Sequence, residues 1–233
     1  MTTEQSIYYS HLSQFFVAVD CVIFTVVDTK LKVLLVHRDF EPERGKWSLI
    51  GGFVDSHESV DDAATRILYD LTGLNHVYVR QLRAFGEVER DPGARVVSVA
   101  YYALINYDKI DHSELQRHNA CWVDVNELPE MGFDHHHMIA EAVEVVRERI
   151  MSASLAFNML PELFTLTQLQ TMVETVTGRK LDKRNFRKYV ALSNDIEPTT
   201  LIDKTSSKRG AALYRYRHGA NQVTIKSLSH KKC

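Results

Sequence analysis

The sequence predicts two folded units, an α/β sandwich over residues 1–154 and a smaller α+β unit of helix-turn-helix form over residues 155–233. Three observations carry that prediction. Between Trp47 and Leu74 the chain reads as apolar strand, glycine pair, amphipathic helix and glycine stop. Strand-like and helix-like segments alternate around this stretch up to Ser154, and a different pattern follows it. Charge divides near the same place: residues 161–233 carry 14 Lys or Arg against 6 Asp or Glu, a net of +8, while residues 1–160 carry 14 against 24, a net of −10. An acidic body joined to a basic C-terminal unit suggests that only the latter meets a polyanion.

The elements follow in chain order. Phe15 to Val27 and Leu31 to His37 are rich in Val, Ile, Phe and Leu and read as paired strands around Asp28-Thr29-Lys30. A charged loop, Arg38 to Lys46, leads into the short apolar run Trp47 to Ile50, which is expected to end in a loop at Gly51-Gly52. Glu58 or Ser59 begins a helix with Val60, Ala63, Ala64, Ile67, Leu68 and Leu71 at helical spacing, and Gly73 stands where a helix C-terminus favours a residue without Cβ. Val77 to Phe85 and Val96 to Ile105 are strands around a polar loop whose turn signal is Asp91-Pro92-Gly93, and Cys121 to Val125 is a last short strand. Asp134 is placed to cap a helix from His135 to about Ser152, with Met138, Ile139, Ala142, Val145, Val146 and Ile150 inward.

Beyond Ser154, Thr165 and Gln168 form a capping-box pattern for a helix with Leu166, Leu169, Met172, Val173 and Val176 on one face, ended by Gly178. Asp182 caps a second helix, Lys183 to about Leu192, and the pair reads as a helix-turn-helix. On the second helix Lys183, Arg184, Arg187 and Lys188 fall within an arc of roughly 140°, with Phe186, Tyr189 and Val190 opposite and Asn185 beyond the arc. Leu201-Ile202 and Ala211 to Arg217 are strands around a basic loop containing Lys208 and Arg209, a wing.

Within the central stretch, Gly52, Glu58, Arg66, Leu68, Gly73 and Leu74 resemble the Nudix box at its spacing. The resemblance implies an α/β/α sandwich with a mixed sheet, and in active members a helix face of glutamates holding magnesium on a pyrophosphate. Here those positions hold Ile67, Asp70 and Leu71. They share one helix face, but two of the three offer no oxygen, and magnesium takes oxygen ligands in near-octahedral geometry. The box therefore reads as a fold retained without hydrolysis, with no catalytic residue, metal or cofactor. Glu58 and Arg66 are placed to brace its loop.

The whole pattern is similar to the Nudix-related transcriptional regulators, in which a Nudix-like domain binds an effector and a winged helix binds DNA. The stretches that carry this are Arg90-Asp91-Pro92, Arg95 to Leu104, Phe133-Asp134-His135, Leu181 to Lys188 and Ala212 to Arg215. The resemblance implies a repressor, and overall similarity points to the L-arabinose-responsive members, with the sugar releasing operator DNA. An alternative is a regulator of NAD metabolism responding to ADP-ribose. Others are an active Nudix pyrophosphohydrolase using a displaced carboxylate, Glu87 or Glu89 with Asp70, and an RNA-binding adaptor.

For double-stranded operator DNA the candidates are Lys183, Arg184, Asn185, Arg187, Lys188, Lys208 and Arg209. For a neutral sugar, which needs only donors and acceptors, they are Arg38, Lys46, Glu87 and Asp134, near strand or helix ends. His135-His136-His137 splay by about 100° each on a helix, do not converge on a metal, and read as the start of a surface helix. Tyr101 and Tyr102 alternate on a central strand, and one of them is expected in the core. A homodimer is expected, because two-fold symmetry presents paired winged helices to two half-sites. No apolar run is long enough to span a bilayer, and the start has no basic leader. Three scattered cysteines, Cys21, Cys121 and Cys233, suit reduced thiols in the cytoplasm.

Overall fold

A computed structural model describes residues 8–74, 77–150, 154–193, 195–205 and 210–217. The first unit is a mixed sheet with a helix layer on each face. Strands β1 (Phe16–Val27) and β2 (Lys30–His37) form a hairpin. Asp28 and Thr29 at its tip both have positive φ, the backbone twist that two-residue hairpin turns require. The sheet runs β3 (Trp47–Ser48), β2, β1, β6 (Val96–Leu104), β5 (Tyr78–Phe85). In addition β4 (Ile50–Phe53) pairs with β1, and β7 (Ala120–Asp124) with β2. The β1–β6 pair is parallel and the other pairs are antiparallel.

Strand alternation divides the core. Val19, Cys21 and Ile23 of β1, with Tyr101 and Ala103 of β6, pack under helix α1 (Val60–Thr72) and the short α2 (His112–Arg117). Their neighbours Val22, Phe24, Ala100, Tyr102 and Leu104 face α3 (His135–Arg149). Both tyrosines are thus buried, one on each face, where only one was expected. Helix α1 starts with a Ser59–Asp62 capping box and stops at Gly73, φ 66°. The six-residue α2 was not anticipated, since so short a segment shows no helical period.

The second unit is a winged helix. It comprises β8 (Phe164–Thr165), α4 (Leu166–Thr177), α5 (Lys183–Ser193), β9 (Ile196–Asp203) and β10 (Ala211–Tyr216), with strand order β8-β10-β9. Thr165 and Gln168 make the expected capping box, and Gly178 ends α4 in the left-handed region. The Asp182 carboxylate accepts from the Asn185 amide at 2.8 Å, capping α5. Leu169, Met172, Val173 and Val176 of α4 belong to the same buried cluster as α3 and the sheet, so the two units share one continuous apolar core. Arg147 near the end of α3 adds a hydrogen bond to the Val176 carbonyl, 3.2 Å. Among the described residues no helix is long and apolar enough to cross a membrane.

Gly51 and Gly52 do not form a loop. They lie in β4, opposite Asp20 and Val19 of β1. A Cβ on Gly51 would overlap the Asp20 carboxylate and the Val19 carbonyl, which is why glycine is required at this close approach.

Candidate functional site

The site starts from one charged residue in an apolar strand. Asp20 sits mid-way along β1 and is 7% exposed. Gly51 and Ala100, its cross-strand neighbours, are small and leave room around its carboxylate. Ser98 Oγ donates to it at 2.6 Å, and Arg90 Nη2 lies 3.4 Å away. Arg90 binds Asp134 with two contacts, Nη2 to Oδ1 at 2.7 Å and Nε to Oδ2 at 3.1 Å, the bidentate geometry a guanidinium favours. Its side chain is 3% exposed. His135 Nδ1 accepts the Leu49 amide at 3.0 Å, which puts the ring proton of the neutral tautomer on Nε2, 3.5 Å from Asp20.

Burial by itself would raise the Asp20 carboxyl. His135, Ser98 and Arg90 outweigh it and hold the group at about 2, so it is ionised at neutral pH. Burial likewise opposes the charge on Arg90, and Asp134 and Asp20 more than restore it. The result is a desolvated, charge-paired wall suited to hydroxyl donors and acceptors.

That wall closes one end of a cavity of about 340 Å³, bordered also by Arg38, Phe40, Gly51, Phe53 and Phe133. A second cavity of about 390 Å³ adjoins it and shares Arg38, Phe40, Leu49, Gly51, Gly52 and Phe53. Its far side is the box helix, with Arg66, Ile67, Asp70 and Leu71. The Glu58–Arg66 brace forms as expected: Nη2 is 2.6 Å and Nε 3.0 Å from the carboxylate, which also accepts the Asp55 amide.

Of the four effector candidates, only Arg38 borders this cleft, and Asp134 reaches it indirectly through Arg90. Arg38 borders both cavities, and Asp134 supports Arg90 from behind. Asp134 does not cap α3 with its side chain, because Arg90 engages both carboxylate oxygens. Lys46 is turned to Glu43 at 2.6 Å and Glu130 at 3.6 Å, and Glu87 is exposed on its loop; neither borders these cavities. His135 is buried rather than on the surface, because Asp20 of β1 and the Leu49 amide between β3 and β4 present it with an acceptor and a donor; His136 and His137 are exposed. Sequence reasoning missed Asp20, Arg90 and His135 as site residues. The available signal was a lone carboxylate in an otherwise apolar strand, which a fold tolerates only with partners.

The nucleic-acid candidates lie on α5. Lys183, Arg184, Asn185, Arg187 and Lys188 are all exposed, while Phe186 and Val190 are buried against α4. Asn185, beyond the cationic arc, is exposed with it, and Tyr189, expected on the opposite face, is 47% exposed. Lys208 and Arg209 lie outside the described residues.

The NUDIX domain model matches residues 15–142, and the NrtR DNA-binding winged helix domain model matches residues 156–216. An "ADPR responsive transcriptional repressor NtrR" from Acinetobacter baylyi is 34% identical over 206 residues, covering 85% of this chain and 80% of that protein. The crystal structure of Shewanella oneidensis NrtR complexed with a 27mer DNA superposes with a TM-score of 0.77 at 31% identity, covering 86% of this chain and 93% of that one. The NUDIX domain of the same Shewanella protein, cocrystallised with ADP ribose, superposes at 0.51 with 30% identity, over 63% of this chain and 99% of that one. Fold and site together define a Nudix-like domain joined to a DNA-binding winged helix. The chain belongs to the Nudix-related transcriptional regulators of the NrtR type. Where these relatives' descriptions name an effector, it is ADP-ribose, so the expected L-arabinose branch gives way to its alternative.

Proposed function

We propose that this protein is a transcriptional repressor whose effector is ADP-ribose, with residues 1–154 binding the ligand and residues 155–233 binding operator DNA as a homodimer. The observation that carries the DNA half is the exposed cationic face of α5, backed by a buried apolar face. Arg184 and Arg187 suit base edges, since a guanidinium reads guanine with two hydrogen bonds; Lys183 and Lys188 suit phosphates. Asn185, beside them, suits an adenine edge or the backbone. Lys208 and Arg209 in the wing loop suit an adjacent minor groove.

For the effector half, the supporting features are the bipartite cleft and the descriptions of the relatives. The first cavity offers Asp20, Arg90 and His135 to a sugar's hydroxyls, and the adjoining one has room for the rest of a dinucleotide-like ligand. The loss of metal ligands does not exclude a diphosphate where the cleft supplies its own cation. Ile67 and Leu71 at metal-ligand positions support binding without turnover. By linkage, a releasing effector binds the free protein more tightly than the DNA-bound one.

The test pairs calorimetry with an operator gel shift, using ADP-ribose and L-arabinose in parallel. ADP-ribose is expected to bind and to dissociate the protein–DNA complex. Binding and release by L-arabinose alone would reverse the effector assignment.

A further inference from the structure

The Nudix fold implies a divalent cation between the box helix and a ligand's phosphates. The residues present do not fit one. Ile67 and Leu71 are buried, and Ile67 packs beneath Gly52, within 3.4 Å of where its Cβ would stand. Glu58 is held bidentately by Arg66, and Asp70, the one carboxylate bordering this cavity, lies 4.0 Å from the same guanidinium. With histidines neutral, the charged residues bordering this cavity are Arg38, Arg66 and Asp70, a net of +1, which repels a cation. The first cavity has the opposite balance: Asp20, Glu41 and Asp91 against Arg38 and Arg90, a net of −1.

Arg38 stands where the two meet. Its guanidinium carbon lies 4.2 Å from the Phe40 ring centre and 5.0 Å from that of Phe133, and its Nε donates to the Pro42 carbonyl at 2.9 Å. Stacking and one hydrogen bond fix the plane of the group, while it forms no ion pair among the described residues. Asp91, Asp20, Glu43 and Glu41 attract it from beyond ion-pair distance without offsetting its burial, so this half-buried guanidinium still gains from an anion in the cleft.

We propose that this cleft binds a diphosphate-bridged ligand without any divalent cation, with Arg38 supplying the positive charge that the Nudix fold otherwise takes from a metal. This rests on the ADP-ribose reading above. The uncharged sugar end lies in the acidic cavity and the diphosphate beside Arg38 in the basic one. Phe40 and Phe53, 58% and 56% exposed and bordering both cavities, offer ring faces to a base.

The experiment is calorimetry of the full chain with ADP-ribose, once in millimolar magnesium and once in excess EDTA. The dissociation constant is expected to agree within about twofold between the two buffers. Arg38→Ala is expected to weaken binding at least about tenfold in both, and Arg38→Lys to recover part of the loss, with thermal melts reporting that the variants are folded. A dissociation constant that rises about tenfold in EDTA overturns the proposal, and that comparison needs no variant. So does an Arg38→Ala protein that is folded and binds as tightly as wild type. Absence of ADP-ribose binding in both buffers instead removes the effector reading, and this inference with it.

Discussion

Replacing Arg90 by Met tests whether the buried charge network holds the effector cavity together. Methionine keeps much of the length and apolar volume and removes the charge. In the native protein Arg90 contacts Asp134 at 2.7 and 3.1 Å and Asp20 at 3.4 Å, from a side chain 3% exposed. Removing one partner from a buried ionic group strands the other, at a cost of about 3–5 kcal/mol. For a chain of this size that lowers Tm by about 6–20 °C. The sign of the pH dependence follows from Asp20. Its folded value of about 2 lies below the ordinary 3.8, so its contribution, about 2 kcal/mol, is present above that ordinary value and lost as pH falls toward 2. The deficit of the variant is therefore largest near neutrality and shrinks as the carboxylates protonate. Asp20→Asn in the Arg90→Met background removes the more buried of the two stranded carboxylates, Asp134 being the other, and should return about 1–3 kcal/mol. Thermal and urea unfolding at several pH values measure all of this. A deficit under about 1 kcal/mol at neutral pH, or one that Asp20→Asn deepens, would refute the reasoning.

Three further outcomes are expected. Arg187→Ala should cost about 1–3 kcal/mol at the specific operator and relax sequence preference there, whereas Lys188→Ala should weaken all duplexes alike and lower the salt slope by about one; anisotropy titrations over a salt series separate the two. Neither change should alter ADP-ribose affinity of the free protein. Incubation with ADP-ribose and magnesium should yield no hydrolysis, and turnover that disappears in Asp70→Asn would revive the hydrolase alternative. Gly51→Ala should destabilise the fold by about 1–3 kcal/mol and weaken effector binding, because the added methyl group displaces the Asp20 carboxylate; unchanged melting and calorimetry would show that β1 and β4 can separate freely at this point.

How much was legible beforehand depends on the range of the interactions involved. Local periodicity and capping determined α1, α4 and α5 nearly to the residue, and periodicity placed α3. Ser59 with Asp62, Thr165 with Gln168, and Gly73 and Gly178 all act within one helical turn. The cationic side of α5 was legible for the same reason, as was the replacement of oxygen ligands by Ile67 and Leu71. Tertiary structure decided where those local rules compete with distant partners. Asp134 has the residue type and position of a helix cap, yet Arg90, 44 residues away, binds its carboxylate more strongly than a backbone amide does. Gly51 and Gly52 look like a turn, and only the pairing with β1 turns them into a strand. Asp20, Arg90 and His135 are scattered along the chain, and no spacing links them. Their association follows from burial: once β1 lies at the centre of the sheet its carboxylate has no water, and the fold has to bring it a cation and hydrogen-bond donors from other elements.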